Sequence, residues 1–236
     1  RYGFAAPNWT KSLGLFMGSG INMLKENNNT VQFNFKPTKT GKANTEAIQY
    51  LNKLKQVCVN GDISNPVAAN QAWTVAIDQF ASDKALFFLQ MAGTIANPEV
   101  SSKFLNMKSD YGLLPIPNAK KGDTYHNIVD WNTSAWIVPV TNKDLAKTGI
   151  ILEALAYHLY YDYSPVYNTE WCDKYLRDDE SAQMLSIIQK TPMYDLALLA
   201  GNSETRISNI INKIIVPSAE SAVGGYDPAQ AIPMYE

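Results

Sequence analysis

The chain holds 236 residues, 46% hydrophobic and 18% charged, enough to bury a substantial core in one large domain or two small lobes. A net charge of −2, with 20 Lys and Arg scattered along the chain, leaves no basic surplus for a phosphate backbone, which excludes nucleic acid as an expected partner. Apolar runs such as Gly149 to Tyr157, broken by Glu153, fall far short of the roughly 20 residues that cross a bilayer.

In chain order, the opening forty residues mix Gly, Asn and aromatic residues, and "RYGFAAPNW" has none of the features of a signal peptide, so no compartment is read from it. Sequons at Asn8, Asn28 and Asn132 would matter only in a eukaryotic secretory route. "TEAIQYLNKLKQVCVNGD" sets Ile48, Leu51, Leu54 and Cys58 at helical spacing, with Gly61 as the stop. "AWTVAIDQFASDKALFFLQMAG" predicts a short helix near Thr74 to Ala81, a turn at Ser82 to Lys84, and an apolar strand from Ala85 to Met91 buried on both faces. Asn97 to Met107 reads as a weaker helix. "YGLLPIP" reads as a brief strand closed by Pro115 and Pro117, which cannot donate to a ladder.

An extended segment follows from Ile128 to Val140, then a long helix from Asn142 whose positions 145, 152, 155, 156 and 159 form one apolar face. In "RDDESAQMLSIIQKTP" the acidic start, Lys190 in the last turn and Pro192 as the stop predict another helix, with charges placed to suit its macrodipole. "SETRISNIINKII" predicts a final helix, and the tail from Val216 reads as irregular. Apolar strands separated by more numerous helices favour an α/β layer arrangement.

Motifs for chemistry are few. No HExxH, GxSxG, P-loop or GxGxxG occurs, and His126 and His158 stand alone. Asp123, Asp130 and Glu153 are carboxylates that a glycosidase could pair in space, but Asp123 reads better as a loop residue and Glu153 as a helix-surface charge. His158 reads as a satisfied structural histidine, and Asp178, Asp179 and Glu180 as a helix start. Cys58 and Cys172 fit no metal or redox pattern and are either two buried thiols or one disulfide.

Aromatic residues with polar neighbours, namely Tyr2, Phe4, Trp9 and Trp131 between Asp130 and Asn132, suit carbohydrate, whose C–H face packs on a ring while amides and carboxylates bond its hydroxyls. Tyr157, Tyr160, Tyr161, Tyr163 and Tyr167 read instead as rings sealing a core at a helix end. In an extended chain Trp131 and Trp136 face opposite sides, so Trp136, against "IVPV", is expected to pack and Trp131 to meet ligand.

The ordered series Lys84-Ala85 before a strand, Tyr111 to Pro117, Ile137 to Pro139, Ala146 to Leu155, and Arg177 to Leu196 resembles the extracellular solute-binding proteins of bacterial carbohydrate ABC transporters, over most of residues 45 to 200. The resemblance implies an α/β, periplasmic-binding-protein-like (type II), helix-rich fold comprising mostly the second of two lobes, the chain being a piece that lacks the N-terminal part. Residues 1–140 would form the main ligand-binding lobe, 141–196 a helical segment that packs on the other lobe, and 197–236 the return and tail. It further implies ligand binding by Trp9, Met91, Gly93, Thr94, Asp130, Trp131 and Asn132, without catalysis, metal or cofactor. The implied partners are a sugar and the permease subunits, at an extracellular, cell-surface or periplasmic location, with membrane contact only through a lipid anchor on the missing N-terminus. Two alternatives stay open: a carbohydrate-active enzyme domain using Asp130, and a peptide- or metabolite-binding relative on the same scaffold.

Overall fold

The structure, a computed structural model, describes residues 1–7, 13–27, 30–34, 45–59, 72–129, 136–195 and 211. It is mixed α/β and helix-rich. Strand β1 (Tyr2–Ala5) leads to α1 (Leu15–Gly18), then to an antiparallel pair, β2 (Leu24–Asn27) and β3 (Thr30–Phe33). Helices α2 (Thr45–Val59) and α3 (Ala72–Ala81) precede β4 (Ala85–Phe88), which pairs with β1 in parallel, Tyr2 opposite Ala85 and Ala5 opposite Phe88. A 3-10 turn (Ala92–Ala96) carries the chain into α4 (Pro98–Leu105). The two-residue strand β5 (Asn127–Ile128) is followed by α5 (Leu145–His158), a π turn (Leu159–Tyr163), α6 (Ser164–Tyr175), α7 (Asp179–Lys190) and β6 (Pro192–Met193), which pairs with β5 in parallel.

The helices start where side chains can satisfy their free N–H groups. Asn97 accepts from Glu99 N at 3.0 Å, Asp144 from Lys147 N at 2.9 Å and Asp178 from Ser181 N at 2.5 Å. The acidic start read at Asp178 is therefore a helix cap. On α2, Ala47, Leu51, Leu54 and Cys58 turn one face into a core shared with Phe4, Phe16, Met17, Met23 and Ile211, as the helical spacing of Leu51, Leu54 and Cys58 requires. A second cluster joins α3 to α4 through Ile77, Val100 and Phe104. There Phe80, Phe88 and Phe104 meet with ring centroids 5.3 to 5.6 Å apart, in stacked and edge-on arrangements that suit aromatic quadrupoles. Trp171, Tyr175 and Leu185 make a third, against which Ile95, Ala96 and Leu113 pack.

One side chain holds the third cluster to the second. Arg177, just before α7, donates to Phe104 O at 2.9 Å, Ser109 O at 3.0 Å and Asp110 Oδ1 at 2.9 Å, and its guanidinium lies 4.6 Å from the centre of the Tyr111 ring. Tyr111 in turn donates to Tyr175 O at 2.9 Å. A planar five-donor fork can serve so many acceptors and stack at once, where a Lys cannot.

Several expectations are corrected. β4 ends at Phe88 rather than Met91, and it is not buried on both faces, since Leu86 is 72% and Phe87 53% exposed; among the described residues it pairs with β1 alone. "YGLLPIP" forms no strand. Instead Leu113 N donates to Ser181 Oγ at 2.8 Å, and Ile116 lies so close to Gly18 that a Cβ there would sit 2.2 Å from its Cγ2. Among the described residues of the extended segment 128–140, which leave out 130–135, only Ile128 belongs to a strand, and Trp136, expected to pack, is 74% exposed. No residue of α5 or of the π turn is buried, so neither the apolar face read on α5 nor the tyrosines from Tyr157 to Tyr163 seal a core, and Tyr167 in α6 is exposed as well. Those rings lie along a continuous helical path rather than at a helix end. His158 is exposed too, its Nδ1 2.5 Å from Asp162 Oδ2. The final helix and tail lie outside the described residues apart from Ile211.

Two outcomes follow from this packing. Arg177→Ala leaves the Phe104 and Ser109 carbonyls without their donor and removes the stack on Tyr111, and is expected to cost about 2–3 kcal/mol in urea unfolding, with Arg177→Lys recovering little. Tyr50, whose hydroxyl donates to Leu15 O at 3.1 Å, has its phenol pushed up to about 12, mainly by burial and further by Cys58. Its stabilising effect is therefore fully present below the unfolded value of about 10 and is lost as pH rises through 12. The stability difference between wild type and Tyr50→Phe should narrow over that window by on the order of 2 kcal/mol; a constant difference from pH 9 to 12 would refute the assignment.

Candidate functional site

The expected ligand residues all follow the carboxyl ends of strands. Trp9 comes four positions after β1 ends at Ala5, Met91 three after β4 ends at Phe88, and Asp130 two after β5 ends at Ile128. In open α/β sheets this is the edge at which ligands bind, because the loops that leave the strands there are free to diverge. Because β1 and β4 run parallel, their exits lie on the same edge, and Leu89 N donating to Ala5 O at 3.0 Å carries the pairing up to it. Trp9, Asp130, Trp131 and Asn132 lie outside the described residues.

The exit of β4 is described in full. Gln90 Oε1 accepts from Met91 N at 2.9 Å, and Met91 O accepts from Thr94 N at 2.9 Å, which begins the 3-10 turn. The turn closes on Asn97, whose N donates to Thr94 O at 3.0 Å and whose side chain caps α4. Met91 is 41% exposed and Gly93 is open, with no atom within 4 Å of where a Cβ would stand. Thr94 is 6% exposed, yet its Oγ1 has no hydrogen-bond partner, and neither has the buried Nε2 of Gln90. A buried polar atom left unpaired costs on the order of 1–3 kcal/mol, so two within five residues call for a reason. Of these, Thr94 is among the positions expected from the sequence. Gln90 is not, although a single amide ending "ALFFLQ" was a signal.

Two depressions open elsewhere. One, of about 450 Å³, is polar and lined by Ser19, Gly20, Glu46, Asp123, Thr124 and His126, among others. Its floor is shaped by Gly20, at φ +85, where a Cβ would meet the His126 ring at 2.7 Å. Lys120 bridges to Glu46 at 2.6 Å with both side chains more than half exposed, a geometry worth little in water. His126 immediately precedes β5, whereas Asp130 follows it, so this hollow adjoins the amino end of the strand rather than its exit. The other, of about 560 Å³, lies on α5 around Ile150, Ala154 and Tyr157.

Among the described residues no three His, Cys, Asp or Glu side chains gather to hold a metal. Neither cysteine is in a disulfide; Cys58 is buried and Cys172 half-buried, and the Cys172 thiol is pushed up by burial and by Asp173, away from the reactive thiolate. Among the described residues no helix is long and apolar enough to cross a membrane. No family model, curated protein or solved structure matches the chain.

The His126 hollow makes its own prediction. Gly20→Ala combines a strained backbone with a clash against the imidazole, and is expected to lower stability by about 1–2 kcal/mol in thermal or urea unfolding. Adding His126→Ala should recover only the steric part; full recovery would mean the positive φ carries no strain.

Proposed function

We propose that this chain is the ligand-holding part of an extracellular solute-binding protein with a periplasmic-binding-protein-like (type II) fold, which takes up a carbohydrate and delivers it to an ABC importer without chemistry. The observation that carries the reading is the parallel pairing of β1 with β4, which sends the segments after Ala5 and Phe88 out along one edge, the position at which α/β sheets hold ligands. Trp9 and Trp131 would supply the platforms for the sugar's C–H faces, and Asp130 and Asn132 the acceptors and donors for its hydroxyls.

Two features support the arrangement of segments. α5 is apolar on more than one side, with Ile150, Ile151, Leu155 and Tyr157 all exposed, a composition that fits a helix covered on several faces. A second lobe resting on the 141–196 segment would cover it, and closure of the two lobes about a hinge would present the liganded shape to the permease. Ile211, buried with Phe16 and Leu51, fits a return of the chain to the main lobe after that excursion.

The test is a thermal-shift panel of maltotriose, lactose, raffinose and trialanine, because a ligand at 100 times its dissociation constant adds about 2.7 kcal/mol to stability. At least one sugar should raise the melting temperature and quench tryptophan fluorescence, and Trp131→Ala should weaken that sugar at least roughly tenfold. A shift with trialanine alone would transfer the site to peptides. Turnover of a glycoside that disappears in Asp130→Asn would replace binding by hydrolysis.

A further inference from the structure

We infer that Gln90 and Thr94 form a hydrogen-bonding seat for an uncharged, hydroxyl-bearing part of the ligand, with Gln90 as a specificity-determining residue at the exit of β4; this rests on the solute-binding reading. Among the described residues four buried side-chain atoms lack a partner, Gln79 Oε1, Gln90 Nε2, Thr94 Oγ1 and Asn118 Oδ1, and those of Gln90 and Thr94 adjoin the exit of β4, whereas other buried polar groups are paired. Ser181 Oγ accepts from Leu113 N at 2.8 Å, Asn127 Nδ2 donates to Thr191 Oγ1 at 2.7 Å, and Asp195 Oδ2 accepts from Met23 N at 3.2 Å. Each of these joins segments distant in sequence. Gln90 Nε2 and Thr94 Oγ1 join nothing, and both stand where a strand leaves the sheet towards the expected ligand.

Their chemistry narrows the ligand. An amide nitrogen donates and a threonine hydroxyl both donates and accepts, a combination that suits alcohol oxygens. From Ala85 to Pro98 the chain bears no charged residue, so this wall offers no counter-ion to a phosphate, an ammonium or a free carboxylate, whose desolvation would go uncompensated. Neither polar atom faces open solvent, so engagement requires a small displacement of the turn. Its residues Met91 and Gly93 are exposed, and an unbranched Met side chain adapts readily. The turn also stands between two cores, with Ile95 packed against both the Val100–Phe104 cluster and the Trp171–Leu185 cluster. A ligand that shifts Thr94 would therefore be felt by α6 and α7.

Opposite effects on stability and affinity test the seat. Thr94→Val removes an unpaired buried group while keeping its approximate shape, so it should raise the ligand-free melting temperature by about 2–4 °C, whereas Gln90→Met also gives up the bond from Met91 N and should leave that temperature about unchanged. Each should also weaken the sugar that shifts the wild type by roughly tenfold in calorimetric titration, and Thr94→Ser, which restores the hydroxyl, should recover most of that loss. Galacturonic acid should bind less well than galactose. The seat is overturned if both variants bind that sugar as the wild type does, or if both melt lower without it, since the side chains would then be structural. Absence of any sugar shift in the wild type overturns the solute-binding reading, and the seat with it; loss of affinity confined to the variants cannot be confused with that result.

Discussion

The parallel pairing of β1 with β4 is the constraint on which the arrangement depends. It brings Tyr2 opposite Ala85 and Phe4 opposite Phe87, so α1, the β2–β3 pair, α2 and α3 must all be accommodated in one crossover between two adjacent strands. Parallel strands cannot be joined by a tight turn, and the crossover becomes the main core: α1 and α2 close over Phe4 and Ala6. The same pairing directs both strand exits to one edge, which is why a segment beginning at residue 6 and another beginning at residue 89 leave the sheet side by side.

Burial is distributed unevenly around that core. Phe16, Met17, Met23 and Leu51 are fully buried, whereas α5 and the π turn after it contain no buried residue. Tyr157 to Tyr163 and the run from Trp136 to Val140 are exposed as well. α6 and α7 differ from α5 in having an anchor. Trp171, Tyr175 and Leu185 pack against Ile95 and Leu113, and Arg177 ties their junction to the carbonyls that end α4. Burial pushes the Tyr111 phenol up, and the Arg177 charge over its ring partly offsets that effect, as expected where a cation stacks on a half-buried aromatic.

Buried polar groups divide by role. Those that bind segments together are paired: Ser19 Oγ donates to Phe16 O and accepts from Ile21 N, and Ser181, Asn127 and Asp195 cross-link elements far apart in sequence. A folded chain tolerates few unpaired groups, because each forfeits its hydration without return. Among the described residues the unpaired atoms are Gln79 Oε1, Gln90 Nε2, Thr94 Oγ1 and Asn118 Oδ1, and Gln90 and Thr94 lie beyond the last paired residue of β4.

The helices were legible in the sequence because their determinants are local. The spacing of Leu51, Leu54 and Cys58, the caps at Asn97, Asp144 and Asp178, the proline that opens α4 at Pro98 and the breaker at Pro192 act within a turn or two of the chain. The strands were less so, since a strand exists only through a partner that periodicity does not name. "ALFFLQM" could not reveal that its ladder ends at Phe88, nor "YGLLPIP" that Leu113 would bond to a serine on α7 instead of a neighbouring strand. Of the candidate site, the place of Met91 to Thr94 near a strand end was legible; the unpaired state of Gln90 and Thr94 was not, because satisfaction of a polar atom is a property of everything packed around it. The same limit applied to Trp136, His158 and the tyrosines. A sequence shows that a face is apolar, and only the tertiary structure decides what, if anything, covers it.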